Sequence, residues 1–305
     1  MSKISVIVPC YNEEQTIEAF YQAITELWKS MGDRELEVMF VDDGSKDATA
    51  SMIKKLSETD ERVRFASFSR NFGKEAAIFC GLEQVSGDCA VVIDADLQHP
   101  VETIKSMVRK WEEGFEIIEG VKSSRGKEKK VHGLFAGLFY KMISSMAGFD
   151  MANSSDFKLL DRKVIDTLNG LDEKETFFRA LTFWVGFTST TVEYEVQDRV
   201  AGTTKWSSTA LLKYAVRNIT SFTYMPLYII AAIGGVIICL GLGFGIDAVI
   251  SYFREEANDG YPTMVILLML ATGAIMCSLG IMSVYIAKIY EEVKDRPRYI
   301  VRDKK

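Results

Sequence analysis

No two cysteines in this chain are spaced as a CxxC pair. The five present, Cys10, Cys80, Cys89, Cys239 and Cys277, are scattered, and two of them sit inside apolar runs. That pattern supports neither a disulfide framework nor a zinc site. Basic residues are in deficit, and the net charge of -6 argues against the large cationic face that nucleic-acid binding normally needs. The opening residues, MSKISVIVPCYNEE, reach charge too early for the apolar core of a signal peptide, so the N-terminal portion is expected in the reducing cytoplasm. Internal repeats and low-complexity segments are absent, and no apolar block long enough to cross a bilayer occurs before residue 227. The chain does have length: 305 residues accommodate one full α/β domain and a smaller part.

Strand-like runs at Ile4–Val8, Glu37–Val41, Val63–Phe68 and Ala90–Asp94 alternate with helix-like stretches near Glu13–Ser30, Asp47–Ser57, Lys74–Val85 and Val101–Glu113. This alternation predicts an α/β fold with a mostly parallel sheet flanked by helices. Ligands of such sheets bind beyond the C-terminal ends of the strands, which directs attention to the polar residues there.

Two apolar blocks, about Leu227 to Ile250 and Thr263 to Ala287, approach the roughly 20 residues a spanning helix needs. They are expected as two C-terminal transmembrane helices. Lys205, Lys213 and Arg217 precede the first block and Lys288, Lys294, Arg296 and Arg298 follow the second, whereas the loop SYFREEANDGYP holds only Arg254. The positive-inside rule puts both ends on the cytoplasmic side of a multi-pass protein of the cell membrane. Two further segments carry helical apolar faces. Gly133–Phe149 reads equally as a core helix or an interfacial one, and Thr209–Phe222, with Lys213 and Arg217 off its stripe, favours the interface. The expected organisation is a cytoplasmic domain over 1–206, a juxtamembrane amphipathic helix over 207–226, two spans over 227–287 and a basic tail over 288–305.

Polar clusters follow the predicted strands. The first ends in Pro9-Cys10-Tyr11-Asn12-Glu13-Glu14 and the second in Asp42-Asp43-Gly44-Ser45. An aromatic ring can stack on a base while carboxylates and amides bond to base and ribose, although DDGS is also a good turn and helix cap. The third cluster is more specific. Val91-Val92-Ile93 runs directly into Asp94-Ala95-Asp96-Leu97-Gln98-His99-Pro100. Two acids at the mouth of a buried strand repel each other unless a cation or donors stand between them. Hard oxygen ligands suit Mg²⁺ or Mn²⁺, which take their remaining ligands from phosphates and water.

In the order PCYNEE, VDDGS, RNFGKEAA, DADLQHP and two C-terminal spans, the chain closely resembles the polyprenyl-phosphate glycosyltransferases. This branch of the inverting GT-A (Rossmann-like) enzymes includes dolichol-phosphate mannose synthases and bactoprenol glucosyltransferases. SSDFKLLDRKV from Ser154, FFRALTFWVGF from Phe177 and RVAGTTKW from Arg199 extend the resemblance over nearly the whole chain. It implies nucleotide contacts at Pro9, Tyr11, Asn12, Glu13, Asp42, Asp43, Lys74 and Asp94, and metal ligation at Asp96 and Gln98, with Asp94 shared between the two. Phosphates fall to Arg125, Arg199 and Lys205, and the catalytic set is Asp94, Asp96 and Asp156, the last positioning the acceptor or acting as a base. Lys122 and Lys158 stand where related sequences carry Arg, which keeps the charge but loses bidentate phosphate geometry.

The implied reaction is metal-dependent transfer of a sugar, with inversion, from a nucleotide sugar to undecaprenyl or another polyprenyl phosphate, giving a lipid-linked donor for cell-envelope glycosylation. UDP-glucose or UDP-N-acetylglucosamine is the expected donor; a GDP-mannose-dependent mannose synthase is the alternative, and an inactive membrane scaffold the reading of a different class. The absence of a QxxRW motif argues against a processive polysaccharide synthase. A homo-oligomer, a separate flippase and a downstream glycosyltransferase are the expected partners, and nucleic acid is not.

Overall fold

The computed structural model describes residues 2–123, 155–173, 177–195, 225–254 and 260–305. The chain divides into two units, Met1–Trp206 together with Pro297–Lys305, and Ser207–Arg296.

The first unit is built on an eight-stranded sheet. Four strand–helix repeats lead: β1 (Lys3–Cys10), α1 (Ile17–Trp28), β2 (Glu35–Asp42), α2 (Thr49–Thr59), β3 (Val63–Phe68), α3 (Lys74–Gln84), β4 (Cys89–Val92) and α4 (Thr103–Glu112). Next come β5 (Ile117–Lys122), β6 (Lys158–Asp161), α5 (Arg162–Asn169), α6 (Phe178–Trp184) and β7 (Ser189–Tyr194). The strand order is β7-β5-β6-β4-β1-β2-β3 and then β8 (Val301–Lys304). Pairing is parallel through β4, β1, β2 and β3 and between β5 and β7, and antiparallel where β6 enters between β4 and β5.

The central strands are apolar on both faces because helices cover both, and β1 is buried from Ile4 to Cys10. Phe20 of α1 meets Phe40 of β2 edge to face at 6.1 Å between centroids. On the other face α3 lies so close to β1 that a Cβ at Gly81 would collide with the Ile7 side chain. That contact fixes the helix whose first turn carries Lys74 and Glu75.

Within the expected basic tail, Val301–Lys304 forms β8, antiparallel to β3, in the first unit. Hydrogen bonding and side-chain clasps hold it rather than burial. Tyr299 stacks on Phe68 at 4.8 Å and its hydroxyl donates to Glu83, Arg298 donates to the Leu171 and Glu173 carbonyls, and Lys54 pairs with Asp303 at 2.9 Å. The strand covers what would otherwise be the open edge of β3.

The second unit contains α7 (Met225–Phe253) and α8 (Tyr261–Val293), which contact each other. Among the described residues, one stretch, Leu267–Val293 in α8, is long and apolar enough to cross a membrane. The apolar part of α7 is the shorter Ala232–Asp247. The amphipathic segments Gly133–Phe149 and Thr209–Phe222 lie outside the described residues.

Candidate functional site

The C-terminal ends of β1, β2 and β4 open onto a cavity of about 450 Å³. Pro9, Tyr11, Glu13, Asp43, Lys74, Asp94 and Asp96 line it, joined by Cys10, Asn71, Gly73, Ala77 and Ala95. Tyr11 is 40% exposed, leaving its ring face available for stacking.

The loop chemistry explains how each group is held. Asn12, at φ 55, receives the Lys46 amide on its side-chain oxygen and donates its own amide to Ser45 Oγ, tying the β1 loop to the β2 loop. Glu13 donates its amide to Thr49 Oγ1 at the start of α2. Asp42 is buried, accepting from Ser67 Oγ at 2.6 Å and the Ser45 amide at 3.0 Å. Asp43 accepts the Phe72 and Gly73 amides at 2.6 and 2.9 Å, which anchors the loop leading to Lys74. Gly44 is required between them: its φ is +67, and a Cβ there would lie 2.8 Å from the Arg70 Cα. Asn12 and Asp42 therefore hold the loops behind the cavity surface, whereas Pro9, Tyr11, Glu13 and Asp43 face it.

At the end of β4 the two acids diverge. Asp94 pairs with Lys74 Nζ at 2.7 Å, and His99 Nε2 lies 3.9 Å from its other oxygen. Asp96 accepts the Gln98 amide at 3.1 Å across a turn in which Leu97 adopts φ 59, an uncommon conformation for a non-glycine residue. His99 packs on Phe157 and Tyr194, with centroids at 5.0 and 5.2 Å, and burial holds its imidazole below its ordinary pKa against the opposing charges of Asp94 and Asp96. That aromatic wall backs the acid pair. The sequence does not announce it, because Phe157, just before β6, and Tyr194, at the end of β7, reach it from distant parts of the chain.

Lys74 links two parts of the site, since its ammonium also meets Asp156 at 2.8 Å. Arg179 of α6 grips the same carboxylate, Nε to Oδ1 at 2.6 Å and Nη2 to Oδ2 at 3.1 Å. Burial alone would raise the Asp156 carboxyl, but Lys74 and Arg179 hold it well below the usual carboxylate range. A carboxylate so held is a poor proton acceptor, which weighs towards positioning over the general-base option. Sequence reasoning misses Arg179 as a site residue although FFRALTFWVGF stands out as a motif; its spacing says nothing of a partner in another element. Lys158 is turned inward, with Nζ 3.3 Å from Glu119 and 3.1 Å from Thr182 Oγ1, and does not take up a phosphate-binding place. Arg125, Arg199 and Lys205 lie outside the described residues.

The cavity is lined by the acids Glu13, Asp43, Asp94 and Asp96 together with Lys74. Burial first, and then the charges of Asp96 and Asp94, raise the Glu13 carboxyl above its ordinary pKa. Burial, followed by Glu13, Asp42 and Asp94, raises the Cys10 thiol. Among the described residues no group of three or more His, Cys, Asp or Glu side chains forms a metal cage. The oxygens of Asp94 and Asp96 suit instead a hard divalent ion that completes its shell with phosphate and water.

Fold and site together define an open-sheet α/β protein with an acidic ligand cleft beyond its strand ends. Residues 5–168 match the family model Glycosyl transferase family 2. The uncharacterized glycosyltransferase YkcC of Bacillus subtilis (strain 168) is 39% identical over 302 residues, 98% of this chain and 93% of the relative. The bactoprenol glucosyl transferase of Shigella phage SfX is 35% identical over 308 residues, 99% of this chain and all (100%) of the relative. Among solved structures, glucosyl-3-phosphoglycerate synthase from Mycobacterium tuberculosis in complex with UDP shares the fold, with a TM-score of 0.52 and 21% identity over 72% of this chain and 79% of that one. The chain belongs to glycosyltransferase family 2, with a GT-A-like fold.

Proposed function

We propose that the protein transfers glucose or N-acetylglucosamine from the UDP-sugar to a polyprenyl phosphate, with inversion at the anomeric carbon. The observation that carries this reading is that Asp94 and Asp96 line one cavity with Lys74, which pairs with Asp94 and also reaches Asp156, itself held by Arg179. The near-full-length similarity to a bactoprenol glucosyl transferase supports the lipid acceptor.

Tyr11 stacks on the base and Asp43 and Glu13 meet the nucleoside. Asp96 with Asp94, and Gln98 beside them, would hold Mg²⁺ or Mn²⁺, which when bound neutralises charge on the departing diphosphate. A phosphate monoester, with a second pKa of about 6, is already anionic near neutral pH. Its oxygen attacks the anomeric carbon while the bond from that carbon to the diphosphate breaks, and UDP departs with the electron pair. No proton has to be removed, which fits an Asp156 held ionised by Lys74 and Arg179. Lys74 and Arg179 fix that carboxylate, and Lys74 spans the donor and acceptor sides. Arg125, Arg199 and Lys205 remain the proposed phosphate residues.

The apolar helices keep the enzyme in the bilayer that holds its acceptor. Two spans with both ends cytoplasmic accord with the lysine and arginine distribution. A flippase and a downstream glycosyltransferase would handle the product, and a homo-oligomer is the proposed assembly. Donor choice is tested by thermal shift in the presence of Mn²⁺: UDP-glucose or UDP-N-acetylglucosamine should raise the melting temperature, and stabilisation by GDP-mannose alone would overturn the UDP assignment.

A further inference from the structure

Helix α6 begins without a side-chain cap of its own, since its N-cap residue, Phe177, is apolar and buried. Its first amide is met from another element. Glu75, the second residue of α3, accepts a hydrogen bond from the Phe178 amide at 2.8 Å. The next residue, Arg179, binds both oxygens of Asp156. Lys74, immediately before Glu75, reaches Asp156 directly at 2.8 Å. Two adjacent residues of α3 thus act on one carboxylate, one by contact and the other by way of α6.

We infer that Glu75 is a positioning residue: by capping α6 from α3 it sets Arg179, and through Arg179 the Asp156 carboxylate, for the acceptor side of the reaction. The inference rests on the proposed function, in which Asp156 orients rather than deprotonates. A carboxylate at a helix start satisfies an otherwise orphaned amide and meets the positive end of the helix dipole. With only seven residues, α6 has little helical stability of its own, so its start is set by such contacts.

The placement has a cost that a purely structural cap would avoid. Burial, and then the negative charge of Asp156, push the Glu75 carboxyl up to about 7, against the opposing effects of the Phe178 amide, Lys74 and Arg179. Its folded value lies above the unfolded value of 4.5, so protonation favours the folded state, and stability from this group is lost as pH rises from about 4.5 through about 7. A neutral acceptor of the same shape should therefore fold at least as well at pH 8.

A double-mutant cycle in the full-length protein in detergent, with UDP-glucose and undecaprenyl phosphate at pH 8, tests the assignment. Glu75→Ala should lower kcat by about 10- to 100-fold, as misplacement of a positioned group does, with the KM for UDP-glucose within about twofold. Glu75→Gln, whose amide carbonyl still accepts from Phe178, should recover kcat to within about threefold and melt no lower than the natural protein. If Glu75 acts through Arg179, the combination of Glu75→Ala with Arg179→Ala should be no slower than Arg179→Ala alone. Multiplying defects, an unaltered kcat in Glu75→Ala, or a Glu75→Gln variant slowed more than tenfold would overturn the inference. If Glu75→Ala does not fold, the Glu75→Gln rate and melting temperature decide it by the same limits. Absence of transfer by the natural protein would contradict the proposed function, whereas a failed cycle in an active enzyme contradicts this inference alone.

Discussion

A carboxylate clamped by two cations behaves differently from one facing water, and Asp156 is held in this way by Lys74 and Arg179, which in the proposed reaction leaves it to orient rather than to accept protons. Replacing Lys74 by Ala leaves Asp156 with Arg179 alone and frees Asp94. Sugar transfer should fall by on the order of 100-fold, read as kcat for the lipid product, because a preorganised charge in the cleft is lost. Unchanged kcat would show that Lys74 only decorates the cleft. Remote from the site, Glu37 makes the opposite electrostatic point. Burial would raise its carboxyl, but hydrogen bonds from Ser5, the Ser86 amide and Arg64, together with the charge of Lys3, lower it to about 2. Because this folded value lies below the unfolded 4.5, its stabilisation is present above about pH 4.5 and is lost as pH falls towards 2. Glu37→Gln should cost roughly 1–3 kcal/mol at pH 7. The difference in urea midpoint between it and the natural protein should narrow over that acid range, and a constant difference would count against the network.

At the scale of elements, the first half of the molecule is legible from its pattern because each parallel strand is a short, largely apolar run ending in a polar turn. Val63–Phe68 appears with the expected ends, and β1, β2, β4 and helices α1 to α4 lie within a few residues of their expected spans. The illegible parts have equally physical reasons. Strand β6 is only four residues long, Lys158–Asp161, and inserts antiparallel between β4 and β5, a choice set by long-range pairing. Strand β8, Val301–Lys304, is charged and largely exposed, so no hydrophobic alternation announces it. The acid pair is legible because a strand points it outward; Arg179 and Glu75 are not, since their roles exist only once α3 and α6 meet. Both ends of this fold can be probed by substitution. Tyr299→Ala, which removes the stack on Phe68, should cost about 0.5–1.5 kcal/mol from the ring pair and loosen amide exchange in β3 and β8 together; protection that persists would assign β8 no part in the sheet's cooperativity. Gly44→Ala, strained at φ +67 and against the Arg70 backbone, should destabilise by about 1–3 kcal/mol in thermal unfolding and weaken UDP binding by displacing Asp43.

For the whole molecule, the two units divide the work that the sequence divides by composition. A mixed-polarity α/β unit carries the acidic cleft, and a unit with long apolar helices comes after it before the chain returns to add β8 to the first. The proposed orientation predicts that reporters fused at either terminus will both register on the cytoplasmic side; an external signal at one end would rule out two spans with the ends together. The central claim, that the Asp94–Asp96 cleft passes a sugar from a nucleotide to a lipid phosphate, is tested most directly with purified protein, radiolabelled UDP-glucose or UDP-N-acetylglucosamine, and undecaprenyl phosphate. The account predicts a labelled, lipid-extractable product that is lost on metal chelation, restored by Mg²⁺ or Mn²⁺, and reduced on the order of 100-fold or more by Asp96→Ala. Lipid product formed at near-normal rate by chelated Asp96→Ala, or no lipid product from the natural protein with either donor, would contradict it.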